Sequence, residues 1–336
     1  MNKFTKRNHY NPCFWSALWC PTYYEKWLHG KTQSQVARNQ VVYTLNFRSG
    51  HIHGAKVADV HYDKDLGVAE ISSDSMRKFC RKWQPDMYGE IDAYLAANPE
   101  ALYMDFEDVL TFVENCGVYD PLMQIAKEGR IASPWQKGVL ACMLVVHAMR
   151  SHELMTSMTK HTLPPDAQKW EYFWLLRNAW ANPLILARAV TPIALGKWTL
   201  FRTSQHHFPL PDSPVMIGQY SLMAVLSPRL LLEVELDATK HKGICVIRDR
   251  VPGSKYREFR RRAIRNTFKE LVFSDDSILD EWRTTADCRE QIRLLSDTET
   301  RTTVVKEAAA RVLWACDGFG RLPSDFESAV QKYFDA

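Results

Sequence analysis

His9, within Asn8-His9-Tyr10-Asn11-Pro12, and Asp212, within Asp212-Ser213-Pro214, are residue types that can do general acid–base work together. A carboxylate beside an imidazole fixes the ring's tautomer and raises its basicity, so the pair is the minimum for moving a proton. Both segments also have a plain structural reading. Asp-Ser-Pro is a common Asx-turn signal, and the His9 run can be a tethering turn whose ring bonds a backbone carbonyl. At this level, catalytic pair and structural lock are both open.

A second feature is the run KYREFRRRAIRNTFK, residues 255–269, which sets Lys255, Arg257, Arg260, Arg261, Arg262, Arg265 and Lys269 against the single acid Glu258. On a helix, Arg257, Arg261 and Arg265 stack at four-residue spacing while Ile264, Phe268 and Leu271 turn inward. Guanidinium groups bond phosphate oxygens in pairs, which makes Arg261, Arg262, Arg265 and the adjacent Asn266 the candidate anion-binding residues. The alternative is a solvated basic face with its stems laid along the surface.

Other candidates carry less. His51, His53, His206 and His207 suggest a metal site only loosely, because no acid stands at a distinctive ligand spacing; no metal site is assigned, a divalent ion is unsupported, and no cofactor is indicated. His147 lies in an apolar helical run and reads as a core histidine with one hydrogen bond satisfied. Cys13, close to His9, is either a thiol nucleophile or a small buried hydrophobe.

The elements that must position these residues follow from periodicity. Residues 38–48 and 55–62, separated by SGHIHG, form a hairpin pattern. From 85 to about 190 the spacing is helical, in four segments: 85–99, 101–117, 133–155 and 166–180. Ser133-Pro134 and Asp166 are expected N-caps, and Gly117 is an expected helix stop. Between 196 and 250 come four or five short strands, GKWTLFRTS, SPVMIG, SLMAVLSP, RLLLEVELD and GICVIRD. Helices return over 254–273, 277–295 and 302–316, and Ser324 and Glu327 open a last one as a capping box. The predicted fold is α+β: a helical middle flanked by a small, mostly antiparallel sheet built from N-terminal and 196–250 strands. Residues 1–275 are expected to form a single domain with a helical insertion at about 85–190, and 276–336 a C-terminal helical extension packed on it.

Composition bounds the setting. The chain has 336 residues, 46% of them hydrophobic, and a net charge of +4, too weak a bias for a dedicated nucleic-acid coat. The eight cysteines include no Cys-x-x-Cys pair, which predicts reduced thiols and a cytoplasmic protein. The N-terminus does not read as a signal peptide. The longest apolar run, Val139–Met149, falls well short of the roughly 20 residues of a membrane span, so no membrane association is expected.

Asn8-His9-Tyr10 with Pro12, Trp198 with Leu200 and Thr203, Asp212 with Pro214 and Val215, Leu226-Ser227-Pro228 with Leu231, and Asn266 together resemble the domain-of-unknown-function family numbered 4238. The likeness spans roughly 6–275 as separated short motifs. It departs from the family at Leu210-Pro211, where Thr-Ser is usual before the Asp, and at Leu66-Gly67, where an aromatic pair is usual. The resemblance implies positions more than a mechanism, and its look suggests an effector of phage defence or bacterial conflict. The leading expectation is a hydrolase acting on RNA, a nucleotide or another phosphate-bearing substrate, centred on His9 and Asp212. A non-catalytic nucleic-acid or anion-binding module and a protein-interaction scaffold are the alternatives.

Overall fold

The computed structural model describes residues 7–31, 34–64, 68–98, 102–105, 117–152, 155–156, 183–205, 208–218, 220–236 and 244–319. The strands are β1 (Arg7–His9), β2 (Val41–Asn46), β3 (Ile52–Lys56), β4 (Tyr62–Lys64), β5 (Val68–Ile71), β6 (Leu102–Asp105), β7 (Lys197–Arg202), β8 (Leu210–Pro211), β9 (Val215–Ile217), β10 (Ser221–Ser227), β11 (Leu230–Glu235), β12 (Val246–Arg248) and β13 (Glu270–Phe273).

The fold is α+β. Its strands divide between a five-stranded sheet, β12-β7-β11-β10-β9, and a four-stranded one, β3-β2-β13-β8, with two further pairs, β1-β4 and β5-β6. The single sheet expected from the two ends of the chain is therefore two. The strands of 196–250 mostly pair with each other, antiparallel except for β12 beside β7, whereas the N-terminal hairpin pairs with β13. β10 and β11 are buried nearly end to end, which is why they read as unbroken apolar runs. Helix Asp120–Glu128 packs on β10 and helix Pro134–Met149 on β9.

Several helical expectations change, each for a local reason. The helix of 254–273 is Gly253–Arg265 followed by β13. Asn266 ends it by donating its side-chain amide to the Arg262 carbonyl at 2.8 Å, and the amides of 268–270 then turn to Asp212 rather than to a further helical turn. Residues 102–105 are not helical but pair with β5. The helix of 277–295 is two, Asp276–Arg283 and Ala286–Ser296, broken where Thr284 bonds back to the Asp280 carbonyl and Thr285 caps the second helix. The hairpin is present, but its return strand is 52–56. Ser133 caps Pro134–Met149 as expected, and Gly117 has a positive φ. Asp166 and the 324–327 capping box lie outside the described residues.

Aromatic side chains fill the core. Trp15, Trp19, Trp198 and Trp282 are fully buried, and each indole N–H has an acceptor: the carbonyls of Leu226, Phe208 and Ile193, and the Tyr256 hydroxyl. Trp15 and Trp19 thereby fasten the N-terminal segment to the 208–226 region. Trp282, beyond residue 275, packs on Phe259 and Phe273 within the same core. Among the described residues, no helix is long and apolar enough to cross a membrane.

Trp19→Phe strands the buried Phe208 carbonyl, normally bonded at 2.7 Å, and is expected to lower unfolding free energy by about 1–3 kcal/mol. Trp135→Phe, at a side chain 67% exposed, should change it by under about 0.5 kcal/mol. Urea titrations of both variants check the contrast.

Candidate functional site

Asp212 leaves β8 fully buried, and its carboxylate accepts from the backbone N–H groups of Phe268 at 3.0 Å, Lys269 at 2.6 Å and Glu270 at 3.3 Å. It holds the entry of β13 against β8. His9 is also buried, with Nδ1 3.2 Å from the Val60 carbonyl and its ring beside Tyr62. Cys13 Sγ lies 3.8 Å from both ring nitrogens of His9, and Arg150 donates to the His9 carbonyl. These backbone partners of Asp212 and His9 are those a structural lock requires.

Between them sits Asn11, fully buried. Its amide nitrogen donates to the Pro211 carbonyl at 3.1 Å and to His61 Nδ1 at 2.9 Å, and its oxygen lies 2.7 Å from His147 Nε2. A carbonyl only accepts, so Pro211 fixes which end of the amide faces it. The proton of His147 is then on Nε2, and its Nδ1 accepts from the Tyr119 hydroxyl at 3.3 Å. His61 Nδ1 likewise accepts, which puts its proton on Nε2, facing the Glu270 carbonyl at 3.3 Å. Both imidazoles are thus neutral. Burial presses the His61 pKa down to about 3 and that of His147 well below the usual histidine value, with nearby positive charge adding to both effects. His61 also has φ of 52°, the one non-glycine residue in the left-handed region among the described residues.

A different carboxylate and imidazole meet beside this network. His152 Nε2 lies 3.1 Å from Asp63 Oδ2, and Lys269 Nζ is 3.1 Å from Asp63 Oδ1. Lys269 also donates to the Tyr62 carbonyl and lies over the Tyr62 ring. An Arg48 nitrogen stands 3.5 Å from His152 Nε2, too long to compete with the carboxylate for that atom. The proton therefore sits on Nε2 and leaves Nδ1 as a lone pair, buried and without a hydrogen-bond partner among the described residues. The Tyr10 hydroxyl, on a ring 5.0 Å from the His152 ring, is also buried without a partner among the described residues.

The charges of this cluster are pushed in opposite directions. Burial alone would raise the Asp63 pKa, but hydrogen bonds from His152 and Lys269 and their charge hold it well below the carboxylate range. Glu270 is raised, by burial first and by Asp63 as well; its Oε1 accepts the His61 backbone N–H at 2.5 Å. Burial lowers His152 despite Asp63, and burial with the Glu270, Asp212 and Asp63 charges lifts Tyr10 well above the phenol value. A base, an orienting carboxylate and a protonatable acid are thus side by side.

The basic helix divides. Arg262 is held by Ser221 Oγ at 2.8 Å and Glu258 at 2.7 Å, and Asn266 is spent on the helix end. Arg261 and Arg265 are exposed. His53 faces Thr44 Oγ1, and His206 and His207 lie outside the described residues. Among the described residues, no three His, Cys, Asp or Glu side chains are grouped to hold a metal ion. His147 has two ring partners rather than the single one expected.

Asn11, His61, Asp63, His152, Lys269 and Glu270 were not singled out as candidate site residues from sequence. The available signals were HYD at 61–63 and His147 with His152 five residues on, straddling a helix end. No family model, curated protein or solved structure matches the chain.

Two outcomes follow. Asp212→Ala leaves three amides without their acceptor and should cost about 3–5 kcal/mol by denaturant titration. Because the folded state keeps His61, His147 and His152 below their unfolded values, the unfolded chain binds more protons once pH falls under about 6.5. Each imidazole then removes up to about 1.4 kcal/mol per pH unit. Glu270, raised in the fold, acts with the opposite sign, but three imidazoles outweigh one carboxyl. Unfolding free energy should fall steadily from pH 7 to 5, and a flat profile would contradict the neutral-imidazole assignment.

Proposed function

We propose that the chain is a hydrolase acting on a phosphate-bearing substrate, with His152 as general base. The observation that carries this reading is the Asp63–His152 contact at 3.1 Å, with His152 Nδ1 buried and unpartnered among the described residues. A carboxylate that fixes the tautomer and a free lone pair on the opposite nitrogen are what proton abstraction from a water or hydroxyl needs. Glu270, whose pKa burial raises, is the acid this reading assigns to the leaving oxygen. Lys269 and Arg48 offset substrate charge, and the Asp63 and Lys269 side chains, 20% and 18% exposed, are where this cluster meets solvent.

Tyr10, His9 and Asp212, three of the residues that carry the likeness to family 4238, lie around this cluster. In this reading His9 and Asp212 are positioning residues that hold β1 and β13 in place. A second reading, a binding module without turnover, is favoured by the complete backbone satisfaction of Asp212.

Purified protein assayed against nucleotides and RNA, with and without divalent metal, tests the choice. His152→Gln and Asp63→Asn should each lower kcat/KM by about 100- to 10,000-fold. With His152 depressed, the acid limb of the pH profile should lie below the usual histidine value of about 6.5. Absence of turnover by the wild type in every condition would leave the binding module, and wild-type rates in both variants would remove His152 and Asp63 from the reaction.

A further inference from the structure

We propose that Arg257, Arg261 and Arg265 bind the phosphate backbone of a single-stranded RNA, with Tyr220 as a stacking platform for its bases. This deepens the function proposed above and rests on its phosphate-bearing substrate.

The argument begins with which cations of the basic segment are already neutralised. Lys255 bonds Glu233 at 2.6 Å and Glu258 at 2.8 Å, and Arg262 shares Glu258 at 2.7 Å. Arg260 meets Glu281 at 3.4 Å, and Lys269 is committed to Asp63. Arg257, Arg261 and Arg265 are exposed and have no acidic partner among the described residues. The segment's acids are consumed on its flanks, so the uncompensated charge is confined to one row.

Geometry makes the row usable. Phe259 and Ala263 are fully buried, and residues two apart on a helix point to opposite sides, so the row lies opposite the face that anchors the helix. Successive guanidiniums are about 6 Å apart along the axis and the row spans about 12 Å, which suits a string of phosphates better than one. The helix is pinned against rolling by Arg262, whose guanidinium bonds Ser221 Oγ at 2.8 Å. The residue before Ser221 is Tyr220, 65% exposed. Its backbone is thus one residue from the contact that holds Arg262, and exposed aromatic rings near a cationic track bind single strands because bases stack without regard to sequence.

The test is fluorescence anisotropy with a labelled single-stranded RNA of about 20 nucleotides, over about 50–200 mM salt. Wild-type affinity should fall steeply with salt. The triple variant R257A/R261A/R265A should flatten the slope of log affinity against log salt by about 2, and each single variant by about 0.7. Tyr220→Ala should weaken binding by about tenfold with the slope unchanged. Arg260→Ala, which removes a cation already paired with Glu281, should leave the slope near that of the wild type.

An unchanged slope in the triple variant, with folding verified by its melting temperature, would overturn the proposal. Displacement of the RNA by inorganic triphosphate at equal phosphate concentration would also overturn it, in favour of a small-anion site. His152→Gln separates the two readings: RNA binding retained without turnover in any protein sinks only the hydrolase, while turnover of a mononucleotide without RNA binding sinks only the backbone track.

Discussion

The side-chain amide of Asn11 is the constraint on which the polar interior depends. It reaches a backbone carbonyl at Pro211 and two histidine rings, at 61 and 147, and so joins three regions of chain that share no sequence neighbourhood. None of these groups has water as a fallback. In such a setting a hydrogen bond is stronger than at the surface, and a missing partner costs correspondingly more, so the network specifies one arrangement of its members. The direction of each proton is fixed by the Pro211 carbonyl, which can only accept. Asp212 completes the frame one residue further on by collecting the amides that open β13.

Against that background, the Tyr10 hydroxyl and His152 Nδ1, on neighbouring rings, are among the buried polar atoms that have no partner among the described residues, as are Arg48 Nε and Ser151 Oγ close by. Buried polar atoms left bare are uncommon in folded proteins and ask for a reason. Here they sit where Asp63 and Glu270 are driven apart in acidity by the same surroundings. The residues that hold the frame and the residues that could move a proton are therefore different sets in contact with each other. The cations divide as well, since Arg262 belongs to the frame, Lys269 to the Asp63 cluster, and Arg257, Arg261 and Arg265 face outward.

Much of the fold was legible because it was locally encoded. β10 and β11 announce themselves as apolar runs, and Ser133-Pro134 marks its helix start by cap chemistry. What could not be read depends on distant partners. Residues 266–273 have helical spacing, but Asp212 takes their first amides and β2 and β8 complete a ladder around them, so tertiary bonding overrides local preference. Leu102–Asp105 similarly becomes a strand through pairing with Val68–Ile71. At the site, sequence reading pairs His9 with Asp212, whereas the structure sets each against backbone groups and brings an imidazole and a carboxylate together elsewhere. The residues that meet in that way, Asp63 and His152, carry no distinctive spacing, because 89 positions separate them.

The span of these contacts bears on how the chain is made. Asn11 waits for Pro211, 200 residues later, and His61 for Glu270, 209 residues later. At cellular elongation rates, that interval is on the order of 10–40 s. Throughout it, an aromatic-rich N-terminal segment has emerged while the strands and carbonyls that bury it do not yet exist. Trp15 and Trp19, whose acceptors also lie beyond residue 200, are in the same position. Synthesis therefore exposes Trp15 and Trp19 well before the residues that bury them, the condition under which transiently open apolar surface is prone to aggregate.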